Sequence, residues 1–328
     1  MMNPHSNSFA GSGPILVIGS SNVDFVMQME RLPTTGETVT DATFLQTFGG
    51  KGANAAVGAA RAGGQVRFVN CVGDDAFGAQ IIAQMQAMGV DTSAMITVPG
   101  SASGSALVMI DANGANYLSV APGTNYALLP THIDQLSDQI AQAALIVLQY
   151  EILPATLYAI IERAAALQRP VLFNYAPARP LEQRYLAKIS LLVVNEIEAA
   201  ALSAQPINSV EQAHAVALAL RCHGPQIVVI TLGARGVVVA HAEGSFALSA
   251  HQVPVVDTTA AGDVFCGALS VALVEGRDLQ ASIQFANAAA ALAVTKLGAQ
   301  PSAPTRADID HLLQHGIPLP VAVCPASP

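Results

Sequence analysis

The chain has 328 residues, of which 52% are hydrophobic and 11% charged, with a formal net charge of −9. That length and apolar content suffice for one large α/β domain or two modest ones, and they exclude general disorder. The acidic balance, without a run of four Lys or Arg, argues against a nucleic-acid partner, and the short apolar segments argue against a membrane span. Residues Met1 to Gly13 are polar and Gly/Ser-rich and read as a frayed tail, not a signal peptide. Cys71, Cys222, Cys266 and Cys324 form no C-x-x-C pair, so free thiols in a reducing, cytoplasmic setting are expected.

Short β-branched runs alternate with Ala/Leu-rich stretches along the chain. Strands are expected at 15–18, 66–69, 145–148, 171–173, 191–194 and 227–230, several of them continuously apolar, as central parallel strands covered on both faces are. Helices are expected at 52–63, 77–88, 131–141, 154–167, 209–222, 261–275, 279–297 and 305–315. Thr131 with Asp134, and Thr305 with Asp308, offer oxygens and an early carboxylate for helix starts. The alternation predicts a doubly wound, mostly parallel α/β sheet flanked by helices. Residues 21–49 and 99–125 break the rhythm with alternating strand-like patterns, and are expected to pair into a small β-sheet lid on a domain spanning 13–315. Residues 1–12 and 316–328 are expected to be flexible termini.

The segment Asp257-Thr258-Thr259-Ala260-Ala261-Gly262-Asp263 follows a strand-like run (Val253 to Val256) and precedes an apolar helix. Small residues there leave the first-turn N–H groups uncovered, so an anion can approach the positive helix end. A carboxylate beside an anion hole is repulsive unless a base is needed, and phosphoryl transfer to an alcohol needs that pairing. A lone Asp at a helix start more often complements the dipole; the small residues and Asp257 shift the balance. Gly49-Gly50-Lys51-Gly52-Ala53-Asn54 is no Walker A loop, and alone it could be a plain strand-to-helix turn. Gly19-Ser20-Ser21-Asn22-Val23-Asp24 follows the first strand, where a doubly wound sheet puts ligand contacts. If extended, it points Asn22 and Asp24 to one side; an Asx-type turn is an equal reading. Glu151 ends a buried strand and needs a partner such as a ligand hydroxyl. His311 and His315 read as a surface pair at a helix C-terminus, and Met85 and Met88 as packing residues.

Together with Pro33-Thr34-Thr35-Gly36-Glu37-Thr38, Asn174 to Arg179, Asn195-Glu196-Ile197-Glu198, Thr231-Leu232-Gly233 and Gly298 to Ser302, these segments resemble the ribokinase family of carbohydrate kinases, the PfkB group, from about residue 14 to 312. The resemblance implies ATP-dependent phosphorylation of a sugar, with D-ribose at its 5-hydroxyl as the expected acceptor. It implies Asp263 as catalytic base, with Ala260, Ala261 and Gly262 as the anion hole. Asn22, Asp24, Gly50, Lys51, Asn54 and Glu151, with Asp263, would bind the sugar. Asn195, Thr231, Gly233, Gly236, Gly262 and Asn287 would hold ATP. Glu198 would act on Mg²⁺ through water, and Asp257, Thr259, Ala293, Lys296, Gly298 and Ser302 would form a monovalent-cation site, with K⁺ the expected ion. A homodimer through the lid sheet is also expected. The family has Gly where this chain has Ala260, so a positive φ there must be relaxed or strained; Ala55 stands where Gln is common. Rival readings are a deoxyribose, fructose or nucleoside kinase, a dinucleotide-dependent oxidoreductase, and a non-catalytic sugar-binding regulator. Aromatics at 5% with no Trp weaken a nucleoside slot, and the missing G-x-G-x-x-G weakens the oxidoreductase.

Overall fold

The structure, a computed structural model, describes residues 9–113 and 115–316. Most of the N-terminal tail, Cys324 and nearly all of the expected C-terminal flexible segment lie outside the described residues.

In chain order, the first part holds β1 (Ile15–Ile18), β2 (Asn22–Met29), β3 (Thr43–Gly49), α1 (Lys51–Arg61), β4 (Val66–Val69), β5 (Cys71–Gly73) and α2 (Ala76–Ala87). There follow β6 (Ile96–Val98), β7 (Ser105–Asp111), β8 (Asn116–Ala121), α3 (Pro130–Gln135), α4 (Ser137–Gln142), β9 (Leu145–Gln149), α5 (Pro154–Ala166) and β10 (Val171–Asn174). The last part holds α6 (Gln183–Leu186), β11 (Leu191–Asn195), α7 (Glu196–Ser203), α8 (Val210–Arg221), β12 (Ile227–Thr231), β13 (Val237–His241), β14 (Gly244–Leu248), α9 (Ala261–Val274), α10 (Leu279–Ala293) and α11 (Arg306–His315).

The main sheet has eight strands in the order β14-β13-β12-β11-β10-β9-β1-β4. Pairing is parallel from β4 to β12 and antiparallel through β13 and β14. Strand β1 shows why its run is apolar throughout. Ile15 and Val17 enter the core beneath α1 and α9, while Leu16 and Ile18 enter the core on the opposite face. Strands β3-β2-β7-β8 form a separate four-stranded sheet, with β2 and β7 parallel. Cys71 and Cys266 are buried free thiols, and Cys222 is an exposed one. Met85 is fully buried, and His311 and His315 lie 4.7 Å apart between ring centroids, tilted by 52°, on the exposed face of α11.

Several local expectations need correction. The stretch 131–141 breaks at Leu136 into α3 and α4, and Thr131 caps nothing. The chain enters α3 through Pro130, where the Leu129 N–H donates to His132 Nδ1 at 3.0 Å, while Asp134 pairs with Arg163. Thr305 and Asp308 do form the expected reciprocal cap, Asp308 Oδ2 accepting from Thr305 N at 2.9 Å. Val253 to Val256 is no strand: Val255 and Val256 are 63% and 60% exposed, and Val256 N donates to Val294 O at 2.8 Å. That carbonyl belongs to the residue capping α10, which ends at Ala293, short of the expected 297. The antiparallel edge, β13 with β14, and helix α7 were not anticipated.

Helices α1 and α9 cross at backbone contact. A Cβ added to Gly58 would stand 3.0 Å from Val264 Cα, and one added to Gly267 would stand 2.4 Å from Ala55 O and 2.6 Å from Ala59 N. Ala55 itself is buried in this crossing. Helix propensity alone favours Gly267→Ala by about 1 kcal/mol. Overpacking against a backbone that cannot yield costs about 1–3 kcal/mol and more at such short range, so packing sets the sign. Gly267→Ala is therefore expected to lower the urea midpoint by an amount equivalent to about 2 kcal/mol, with the m-value unchanged; a raised midpoint would show that the helices are free to part.

Candidate active site

The site begins where the loop after β1 meets the start of α1. Gly50 precedes α1 with φ of 91°, and a Cβ there would come within 2.6 Å of Ser21 Cα. A Cβ on Gly52 would come equally close to Ser20 N. Ala53 N donates to Ser20 O at 2.9 Å, so the Asn22–Asp24 strand start and the Lys51–Asn54 helix start are held side by side. Glu151, just beyond β9, ties them from below: its Oε2 accepts from Ser20 Oγ at 2.5 Å and from Lys51 N at 3.0 Å. Asn22 and Asp24 lie two residues apart in β2, on one face of the small sheet, so the Asx-turn reading gives way to a strand. Burial, and then the nearby Glu151 charge, push Asp24 up to about 7. Its buried Oδ1 has no partner among the described residues.

Helix α9 supplies the opposing wall. Ala260, the residue before it, adopts φ 60° and ψ 5°, the left-handed region that disfavours any side chain. The first helical bond is Val264 N to Ala260 O at 2.9 Å; Ala261 N reaches back to Thr258 O at 3.3 Å, and the Gly262 and Asp263 N–H groups are left without helical acceptors. Around Gly262 the space is open, with nothing within 4 Å of an added Cβ. Asp263 is 5% exposed and accepts from Asn54 Nδ2 at 3.0 Å and from Asn174 Nδ2 at 3.5 Å. Burial raises its pKa, opposed by the Lys51 ammonium and the Asn54 bond. Lys51 is held above its ordinary value chiefly by the Asp263 carboxylate, against the effect of its own burial.

A pocket of about 190 Å³ is lined by Lys51, Asn174, Asn195, Glu198, Thr231, Thr258, the backbone run Ala260 to Gly262, and Asp263. Asn195 and Glu198 cap α7 reciprocally, with both bonds at 2.8 Å. One Glu198 oxygen is thereby occupied, and burial raises the carboxyl pKa against the Asn195 N–H and Lys51. Gly233, Gly236 and Asn287 do not line this pocket. Gly236 and Asn287 border the adjoining segment 248–250: a Cβ on Gly236 would meet Leu248 O at 2.0 Å, and Asn287 Nδ2 donates to Ser249 O at 2.8 Å.

Beside the turn that opens α9, Asp257 Oδ1 accepts from Thr259 N and Oδ2 from Gly298 N, each at 2.9 Å. These bonds hold Asp257 below the usual carboxylate value although burial opposes them. Asp257 N also reaches Val294 O, bringing Ala293, the last residue of α10, and the segment 294–296 after it to the same corner. Ser302 is fully buried one turn on, its Oγ donating to Ala299 O at 2.7 Å. Asn174, Thr258 and Ser20 were given no role from sequence. Asn174 stands at the carboxyl end of β10, the position at which doubly wound sheets meet ligands, and that placement was the available signal.

Residues 14–306 match the pfkB family of carbohydrate kinases. The chain is 38% identical to a ribokinase of Bacillus subtilis over 91% of its own length and 99% of that protein's. It is 34% identical to a deoxyribokinase of Salmonella typhi, over 89% and 95% of the two chains. The structure of Arabidopsis thaliana ribokinase complexed with ribose and ATP superimposes with a TM-score of 0.86 and 30% identity, covering 93% of this chain and 99% of that one. The family match spans the carboxylates, the glycine turns and the helix start just described, and the chain belongs to the pfkB family of carbohydrate kinases.

Proposed function

We propose that the protein transfers the γ-phosphoryl group of ATP to the 5-hydroxyl of D-ribose, giving ribose 5-phosphate and ADP. The observation that carries this reading is the buried Asp263 carboxylate, bonded to Asn54 and set among uncovered first-turn N–H groups in one pocket with Lys51. Asp263 takes the proton of the terminal hydroxyl as its oxygen attacks phosphorus, and ADP leaves on the far side. The N–H groups around Ala260 to Gly262 receive the transferring oxygens, and Lys51 offsets the surrounding carboxylates. Asn22, Asp24, Gly50, Lys51, Asn54 and Glu151 hold the sugar, and the unpartnered Asp24 oxygen supports this, since a buried carboxylate gains from ligand hydroxyls. Asn195, Thr231, Gly233, Gly236, Gly262 and Asn287 hold the nucleotide. The similarity to ribokinases, one of them complexed with ribose and ATP, favours ribose over deoxyribose as acceptor.

Hard oxygen donors suit both expected cations. Glu198, with one carboxylate oxygen not used by the Asn195 N–H, would hold Mg²⁺ through water, and the ion would supply neutralisation of charge on the phosphates. Asp257, Thr259, Ala293, Lys296, Gly298 and Ser302 would hold K⁺; both Asp257 oxygens accept backbone N–H groups, from Thr259 and Gly298, and so fix the corner in which the ion would sit.

Residues 21–49 and 99–125 act as a lid, and a homodimer forms through it. The face of the small sheet that carries Asp24 also bears Leu45, Leu118 and Val120, exposed by 47%, 65% and 46%. A second copy laid on that face would cover them. Sedimentation velocity is expected to give a dimer, and Leu118→Asp a monomer; a monomeric parent protein removes this proposal.

Assayed for ADP release across pentoses, hexoses and nucleosides with Mg²⁺, with and without K⁺, the protein is expected to use ribose best and to be faster with K⁺. A better acceptor overturns the ribose assignment and leaves the kinase reading intact. Asp263→Asn is expected to fold normally and to lose about 10²–10⁴ in kcat. Near-parental turnover in that variant contradicts the mechanism.

A further inference from the structure

Asn22 does not meet its ligand as an independent side chain. Cys71 N donates to Asn70 Oδ1 at 2.6 Å, and Ser21 N donates to Asn125 Oδ1 at 2.9 Å. A backbone N–H can only donate, so these two bonds fix which end of each amide is oxygen. Asn70 Nδ2 is then left to donate to Ser21 Oγ at 2.6 Å and to Asn125 Oδ1 at 3.0 Å. Asn125 Nδ2 in turn donates to Asn22 Oδ1 at 2.8 Å. Asn70 and Asn125 are 0% and 1% exposed, so water does not compete for these bonds.

The gap that admits the last bond is made by Gly104. A Cβ there would stand 2.3 Å from Asn125 Nδ2 and 2.5 Å from Asn22 Oδ1. Any side chain at that position drives a wedge into the pair. Among the described residues no acceptor takes Asn22 Nδ2, and it is not a buried orphan.

We propose that Asn70 and Asn125 are positioning residues which, seated in the Gly104 gap, lock the Asn22 amide with its NH₂ toward the sugar. The sugar atom opposite Asn22 is then a hydroxyl oxygen that accepts, while Asp24, two residues on and on the same face, accepts a hydrogen bond from a sugar hydroxyl. One fixed donor beside one acceptor suits adjacent hydroxyls bonded in opposite senses, and penalises a sugar lacking the accepting one, because the NH₂ is left unpaired. No titratable side chain belongs to the relay, so its sense does not change with pH. The proposal rests on the reading of Asn22 as a sugar contact.

Steady-state kinetics with D-ribose and ATP test it through a double-mutant cycle. Asn125→Asp keeps the shape but sets an oxygen against Asn22 Oδ1, so Asn22 must turn over. It is expected to raise the ribose KM about tenfold, the scale of one misdirected hydrogen bond, while the ATP KM stays within about twofold. Gly104→Ala is expected to do the same, and serves if Asn125→Asp does not fold. In an Asn22→Ala background either change is expected to add less than about twofold, since nothing remains to orient. Full additivity there, or equal rises in both KM values, reduces Asn70 and Asn125 to structural residues and overturns the relay. If Asn22→Ala alone leaves the ribose KM unchanged, the sugar-contact reading fails, and the relay with it. The parent protein supplies a readout that needs no variant. The Asn22 side-chain NH₂ resonances are expected to shift on adding ribose while those of Asn70 and Asn125 hold still; an Asn22 amide that does not respond to ribose also overturns the proposal.

Discussion

The bond from Asn54 Nδ2 to Asp263 Oδ2 joins residues 209 positions apart, and most of the site depends on it. It exists because α1 and α9 cross without side chains between them, at Gly58 and Gly267. That crossing brings the first turn of α1, which carries Lys51, to the first turn of α9, which carries the uncovered N–H groups. The buried Asp263 is tolerable because an amide donates to it and an ammonium faces it. A carboxylate held by Asn54 on one oxygen, more loosely by Asn174 on the other, and by one nearby charge stays fixed in direction, as the proposed base must. The fold supplies the geometry, and the charge pattern supplies the reason for it.

A second layer of constraint comes from neutral groups. Glu151 joins Ser20 and the Lys51 backbone, and the asparagines beneath Asn22 are pinned by backbone N–H groups. Such networks are worth keeping only when each member is satisfied, because an unpaired polar group in a low dielectric is destabilising. Among the described residues, Asp24 Oδ1, Asn54 Oδ1, Thr124 Oγ1 and the Gln149 amide are buried exceptions near the site. In Asp24 the exception coincides with a face open to a ligand.

Much of this was legible from sequence, and the reasons for success and failure are physical. Strands β1, β4 and β9 to β12 are buried on both faces, so their apolar runs are long enough to read. Val253 to Val256 has the same composition, yet Pro254 removes a ladder donor and the end of α10 takes the backbone bonds instead. At Pro130 the chain enters its helix one residue before Thr131, which displaces the expected cap. The glycine turns and Asp263 were legible because their chemistry is local. Asn70, Gly104 and Asn125 were not, since each sits in an unremarkable segment and acquires meaning only when the fold brings the segments together.

The alanine at the start of α9 has a consequence beyond its own strain. A glycine at position 260 could visit several backbone regions, and the turn would lose that freedom each time a phosphate bound. Ala260 has already been confined to the left-handed region by folding, at a standing cost of about 1 kcal/mol to the native state. If this turn receives phosphate as proposed, the ordering entropy that a mobile loop would surrender at each binding is surrendered once, when the chain folds. The penalty then falls on stability rather than on binding.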